Sequence, residues 1–187
     1  MPPSLQLQPE IITLEQYEAL PENVRAEVFN GQVYAIASPS QIHQTLLMEL
    51  SSVLHAYVKK KNGACKVFPA PFDVKLSDHP LIIVQPDIMV VCDPAKLDQK
   101  RCNGAPDFII EIVSPGNPAD DYIKKLYHYK NYGVREYWIA DPRRKTVTVN
   151  YFEGNMLTVP YPFDSVIKVQ IFEDLFINFA AIHESLS

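Results

Sequence analysis

Residues Asp107-Phe108-Ile109-Ile110-Glu111-Ile112-Val113-Ser114-Pro115 place the hardest constraint on this chain. An apolar run bounded by an aspartate and by Ser-Pro reads as a strand in the centre of a sheet. Glu111 stands in its middle. Burying an ionised carboxylate without a partner costs several kcal/mol or drives it to take up a proton. The fold must therefore bring Glu111 a cation, a metal or an opening to solvent. A second stretch, Gln85-Pro86-Asp87-Ile88-Met89-Val90-Val91-Cys92-Asp93, repeats the anomaly, with Asp87 opening the apolar run. Two strands that each bring one acid to a shared place could make a divalent-metal site.

Strand parity sharpens this. Side chains alternate, so Glu111 shares a face with Asp107, Ile109 and Val113, while Phe108, Ile110 and Ile112 point the other way. Val113, the next residue on the face of Glu111, can do no acid–base or electrostatic work. A positive charge has to come from elsewhere. Lys125 is the natural supplier: a short loop over 114–119 returns the chain across the sheet, and a lysine one to two turns into the next helix reaches back toward Glu111.

The rest of the chain supplies a frame. Thr13 and Gln16 form a capping-box pattern, so a short helix follows and stops near Pro21. Asn30-Gly31 is a hairpin turn signal between 26–29 and 32–36. Ser38-Pro39-Ser40 opens a long helix with apolar residues at a 3.6-residue period from Ile42 to Val58. Lys59-Lys60-Lys61 suits its negative C-terminal end, and Gly63 is expected to stop it. Strands are predicted at 65–68 and 72–76. Segments 81–84 and 87–92 read as one interrupted strand, or a strand bulged at Gln85-Pro86. A polar loop over 93–106 leads to the Glu111 strand, and 114–118 cannot continue any regular element.

A helix from about 120 to 132 ends at Gly133. Tyr122, Ile123, Leu126, Tyr127 and Lys130 form one of its faces; Asp121, Lys125, His128 and Tyr132 lie on another. Strands are predicted at 134–140, 146–152, 156–159 and 166–172, with a short helix within 175–182. This order indicates an α/β protein, a mixed sheet flanked by helices. A loose arm covers residues 1–11, and 12–187 is expected to form a single domain.

Composition narrows the function classes. A net charge of −5 gives no global basic field, which argues against non-specific nucleic-acid binding by the whole surface. It leaves room for a local basic groove or an acidic site loaded with metal. Cys65, Cys92 and Cys102 are odd in number and lack metal-ligand spacing, so they read as reduced thiols of a cytosolic protein. No signal peptide is visible, and no run approaches the ~18–20 apolar residues of a membrane span. The cytoplasm is the expected location.

Several motifs together resemble a known family. They are Arg25-Ala26-Glu27-Val28 with Asn30-Gly31; Ser38-Pro39-Ser40 with His43; Gln85-Pro86-Asp87; and Pro106 through Pro115. Asp121, Lys125, Tyr129, the run Gly133 through Trp138, and Asp141-Pro142 complete the set. Over roughly residues 12 to 175 the chain looks like the Uma family, classed with restriction endonucleases in the PD-(D/E)xK nuclease superfamily. The resemblance implies a restriction-endonuclease-like fold, a central mixed β-sheet flanked by helices. It also implies Mg²⁺-dependent hydrolysis of DNA phosphodiester bonds, with Mn²⁺ as a substitute ion. Carried over by position, Asp87 and Glu111 bind metal and Glu27 is an additional acid. Lys125 stands for a catalytic lysine moved from strand to helix. The departure from the superfamily pattern is Val113, where that lysine usually stands. Double-stranded DNA is the implied partner, and such nucleases often act as homodimers.

Each residue also has a plainer reading. Asp87 could cap the turn after Pro86. Lys125 could be a solvated helix lysine paired with Asp121. Glu27 could be an ordinary half-exposed strand residue. His43 reads as structural, and the tyrosines of the 120–138 region as core or interface. Three functions stay open: a Mg²⁺-dependent nuclease, a catalytically inactive nucleic-acid-binding or interaction module on the same fold, and a hydrolase of another phosphodiester.

Overall fold

The computed structural model describes residues 11–21, 23–114, 120–154 and 156–184, with the backbone alone at 120 and 121. Nearly all of the expected arm and of the 114–119 loop therefore lies outside the described residues.

The chain opens with helix α1 (Leu14–Glu18), whose capping box forms: Thr13 Oγ1 accepts from Gln16 N–H, and Gln16 Oε1 from Thr13 N–H. Strands β1 (Ala26–Phe29) and β2 (Gln32–Ala35) pair across Asn30-Gly31, both at positive φ as this tight turn requires. Helix α2 (Gln41–Lys61) is capped by Ser40. It ends one residue earlier than the glycine rule suggests, because Asn62 itself adopts the left-handed conformation at φ 50°.

Next come β3 (Lys66–Pro69), β4 (Asp73–Asp78), β5 (Leu81–Val84), β6 (Ile88–Val91), β7 (Arg101–Asn103) and β8 (Phe108–Ile112). A π-helical segment (Asp120–Lys125) runs directly into α3 (Leu126–Tyr132), which Gly133 ends. The chain closes with β9 (Glu136–Asp141), β10 (Thr146–Tyr151), β11 (Leu157–Pro162), β12 (Val166–Lys168), β13 (Phe176–Asn178) and α4 (Phe179–Glu184).

The mixed sheet is six-stranded, in the order β11-β10-β9-β8-β6-β3, with β8 and β9 parallel. A second, five-stranded sheet runs β2-β1-β5-β4-β7. This corrects the reading of 81–92 as one strand region. Gln85-Pro86-Asp87 is the corner at which the chain leaves one sheet for the other, so β5 and β6 belong to different layers. The 93–106 loop likewise contains a short strand, β7, parallel to β4.

The two faces of the six-stranded sheet bury different cores. Phe108, Ile110 and Ile112 pack with Leu46, Leu50 and Leu54 of α2 and with Phe179 and Ile182 of α4. Ile109 and Val113 face the other way, into a core with Phe29 and Val84 of the second sheet and Tyr129 of α3. The parity expected for β8 holds. Glu111 therefore points between the two sheets, toward α3.

Cys65 and Cys92 are joined by a disulfide, and Cys102 is the free, buried thiol. The expectation of three reduced cysteines is thus corrected. The antiparallel register pairs Lys66 with Val91, so the next pair outward brings Cys65 opposite Cys92. Among the described residues no helix is long and apolar enough to cross a membrane.

Candidate functional site

Three backbone features converge on one cleft. The antiparallel register of β6 and β8 pairs Ile88 with Ile110, so Asp87 stands opposite Glu111 one step further. Hairpin β1–β2 presents Glu27 from the second sheet, and the turn into α3 carries Lys125. The cleft that Glu27, Asp87, Glu111 and Lys125 line has a volume of ≈ 260 Å³.

Lys125 is the electrostatic centre. Its Nζ lies 3.0 Å from Glu111 Oε1 and 3.1 Å from Glu27 Oε1. All three residues are buried, at 7%, 3% and 8% exposure. Two carboxylates this close and this dry would repel each other, and the shared ammonium offsets that cost. The surface reading of Lys125 does not hold, since the side chain is buried.

The neighbours fix each acid. Tyr129, four residues beyond Lys125 and on the same side of the helix, donates its hydroxyl to Glu111 Oε1 at 2.7 Å. Burial, followed by the charges of Glu111 and Glu27, pushes the Tyr129 hydroxyl well above the ordinary tyrosine range, so it stays a donor. Glu27 Oε1 also accepts from the backbone N–H of Gln85, at 3.1 Å. Asp87 Oδ2 accepts from Ile112 N–H at 2.7 Å and lies 3.1 Å from His43 Nε2. Among the described residues, both of these contacts of Asp87 fall on Oδ2. In a strand the N–H and C=O of one residue point the same way. The Ile112 carbonyl is therefore directed to the side where Asp87 stands.

The structure brings together all four residues singled out from the sequence. It adds two more. His43 turns out to face the cleft: it is 6% exposed, and its Nδ1 is buried with no hydrogen-bond partner among the described residues. Tyr129 was hidden among tyrosines that look like core. Its i+4 spacing from Lys125 puts the two on one side of the helix, a spacing that a core tyrosine shares. Of the two faces drawn for this helix, the one with Lys125 and His128 is the buried one, and it also takes in Tyr129. Ile123 and Tyr127 are exposed at 70% and 65%, while Lys125, His128 and Tyr129 turn inward. Pairing with Glu111 overrides hydrophobicity there.

A divalent ion fits this donor set. Mg²⁺ takes hard oxygen ligands, retains waters, and needs only one or two carboxylates beside a substrate phosphate. Asp87, Glu111 and the Ile112 carbonyl present oxygens of this kind to the cleft. Among the described residues no group of three or more His, Cys, Asp or Glu side chains is arranged to hold an ion.

The fold is restriction-endonuclease-like. It superposes with a TM-score of 0.77 on the crystal structure of "a putative nuclease belonging to DUF820" from Anabaena variabilis, at 24% identity, covering 94% of this chain and 99% of that one. An uncharacterized protein of Synechocystis sp. is 26% identical over 95 residues, 51% of this chain and 48% of that protein. The match thus spans about half the length of this curated relative. Residues 14–180 match the sequence model of the Uma2 family, described as "Putative restriction endonuclease". The chain belongs to the Uma2 family.

Proposed function

We propose that this protein is a metal-dependent endonuclease that hydrolyses DNA phosphodiester bonds in the cleft between its six-stranded and five-stranded sheets. The observation that carries this reading is the bridge of Lys125 between Glu111 and Glu27, beside Asp87. A lysine next to paired acids is the equipment for phosphodiester hydrolysis, and here it arrives from a helix because Val113 cannot supply it.

In this reading Asp87 and Glu111, with the Ile112 carbonyl, hold Mg²⁺ or Mn²⁺. The ion, when bound, polarises a phosphoryl oxygen and lowers the pKa of a bound water. The chain's own groups do the rest. His43 and the Ile112 N–H fix Oδ2 of Asp87, and Tyr129 fixes Oε1 of Glu111. Lys125 orients the attacking water and stabilises charge developing on the phosphorane. Glu27 holds Lys125 in place. Cutting both strands of a duplex takes two such sites, one per protomer of a homodimer.

Plasmid DNA incubated with Mg²⁺ or Mn²⁺ tests this. Wild type converts supercoiled to nicked or linear DNA; Asp87→Ala and Glu111→Ala do not. No cutting by wild type, with no metal binding by calorimetry, would leave an inactive module on this fold.

A further inference from the structure

The same cleft has a second wall of opposite character. Tyr34, Ala35, Ile36, Ala37, Pro39 and Leu47 also line it, with Tyr34 the cross-strand neighbour of Glu27 in the β1–β2 ladder. Phosphate, water and metal make no use of an apolar wall. Tyr34 remains 39% exposed although Lys124 Nζ sits 3.3 Å from its ring centroid and the Phe29 ring meets it edge-on at 5.8 Å. The polar side chains Arg25 and Gln44 also line the cleft. The hydroxyl of Tyr34 is engaged with Gln32 Oε1 at 3.0 Å, which leaves the ring as the part that can meet a ligand.

We infer that this wall is a subsite for one unpaired nucleobase next to the scissile phosphate, stacked on Tyr34 with its polar edge toward Arg25 and Gln44. The inference rests on the phosphodiesterase reading above and names its substrate class. A nucleobase is a flat apolar group with a hydrogen-bonding rim, and it is the apolar group nearest to any DNA phosphate. The volume of ≈ 260 Å³ lies just below the range of ordinary ligand clefts, about 300–1,000 Å³, a size that suits a single base. A base inside a duplex shows neither face, and must leave the stack to reach such a wall. That costs least in a single strand or at a mismatch.

Binding separates this inference from the catalytic one. A short dye-labelled single strand and the same sequence as a perfect duplex are titrated with the full chain, by fluorescence anisotropy with Ca²⁺ present. The single strand is expected to bind about ten-fold more tightly or better. Tyr34→Ala loses about ten-fold toward the single strand, the contribution of one stacked base, and Tyr34→Phe keeps it. Equal affinity for duplex and single strand, or a Tyr34→Ala variant that binds like wild type, overturns the subsite. A wild type with the single-strand preference that cuts nothing with Mg²⁺ or Mn²⁺ keeps the subsite and loses the proposed activity. One that cuts plasmid without any preference does the reverse.

Discussion

Lys125 Nζ and Glu111 Oε1 meet at 3.0 Å although one sits on the turn into a helix and the other in the middle of a strand. The strand cannot supply this charge itself, because Val113, the next residue on the same face, is packed into the apolar core. Moving the lysine to the helix leaves the strand apolar on both sides of its one acid. The contact to Glu27 at 3.1 Å also ties the two sheets together through a single ammonium.

Lys125→Met is therefore expected to damage both stability and chemistry. It leaves Glu27 and Glu111 buried side by side without their cation, and removing one partner of a buried ion pair costs about 3–5 kcal/mol. Guanidinium unfolding measures the stability loss. Plasmid cleavage with Mg²⁺ should fall by about a hundred-fold or more, the usual effect of deleting one transition-state donor. A folded Lys125→Met protein that cuts at the wild-type rate would remove this lysine from the chemistry.

Tyr129→Phe isolates the hydroxyl that positions Glu111. A buried hydrogen bond to a charged group contributes about 1.5–3 kcal/mol, and the phenyl ring keeps the packing. The pH dependence has a definite sign. Burial raises the folded pKa of Tyr129 above its unfolded value near 10, so its contribution is complete below that pH and is lost as pH rises through the alkaline range. Wild type should lose stability above about pH 10 more steeply than Tyr129→Phe does. Parallel curves for the two proteins would show that Glu111 and Tyr129 are not coupled in solution.

His43→Ala removes the imidazole beside Asp87 Oδ2 but leaves the Ile112 N–H bond intact. Outer partners of a metal ligand typically contribute about 10–100-fold in metal affinity or activity. Calorimetric titration with Mn²⁺ should show affinity falling within that range, while the thermal midpoint changes little. Unchanged metal affinity would return His43 to a packing role.

Much of this arrangement is legible in the sequence, and the exceptions have physical causes. Glu111 is conspicuous because an acid in an apolar run demands a partner, and parity tells which face it uses. Lys125 follows from the silence of Val113. Tyr129 is hard to read because a tyrosine that serves one acid has the same composition and spacing as one that fills a core. The separation of β5 from β6 is invisible to periodicity, since both segments are apolar and Gln85-Pro86 reads equally as a bulge. Only the pairing of β5 with β1 and β4, and of β6 with β3 and β8, distinguishes a corner from a bulge. Cross-strand partners such as Cys65 and Cys92 are likewise set by register, which sequence spacing does not reveal.

That disulfide supports the last prediction. It joins the edge strand β3 to the end of β6, the strand that begins just after Asp87, and closes a loop of sequence separation 27. Restricting the unfolded chain over a loop of that length is worth about 3–4 kcal/mol in the chain-entropy account. Denatured protein prepared without reductant should present one reactive thiol, Cys102, to a thiol reagent, and three after reduction. Dithiothreitol should lower the thermal midpoint of wild type to that of the Cys65→Ala/Cys92→Ala double variant and leave the variant itself unchanged. Because β6 still pairs with β8 by backbone hydrogen bonds, the loss should fall on stability, with the register that sets Asp87 opposite Glu111 retained. Three reactive thiols before reduction would show that the bond does not form under those conditions.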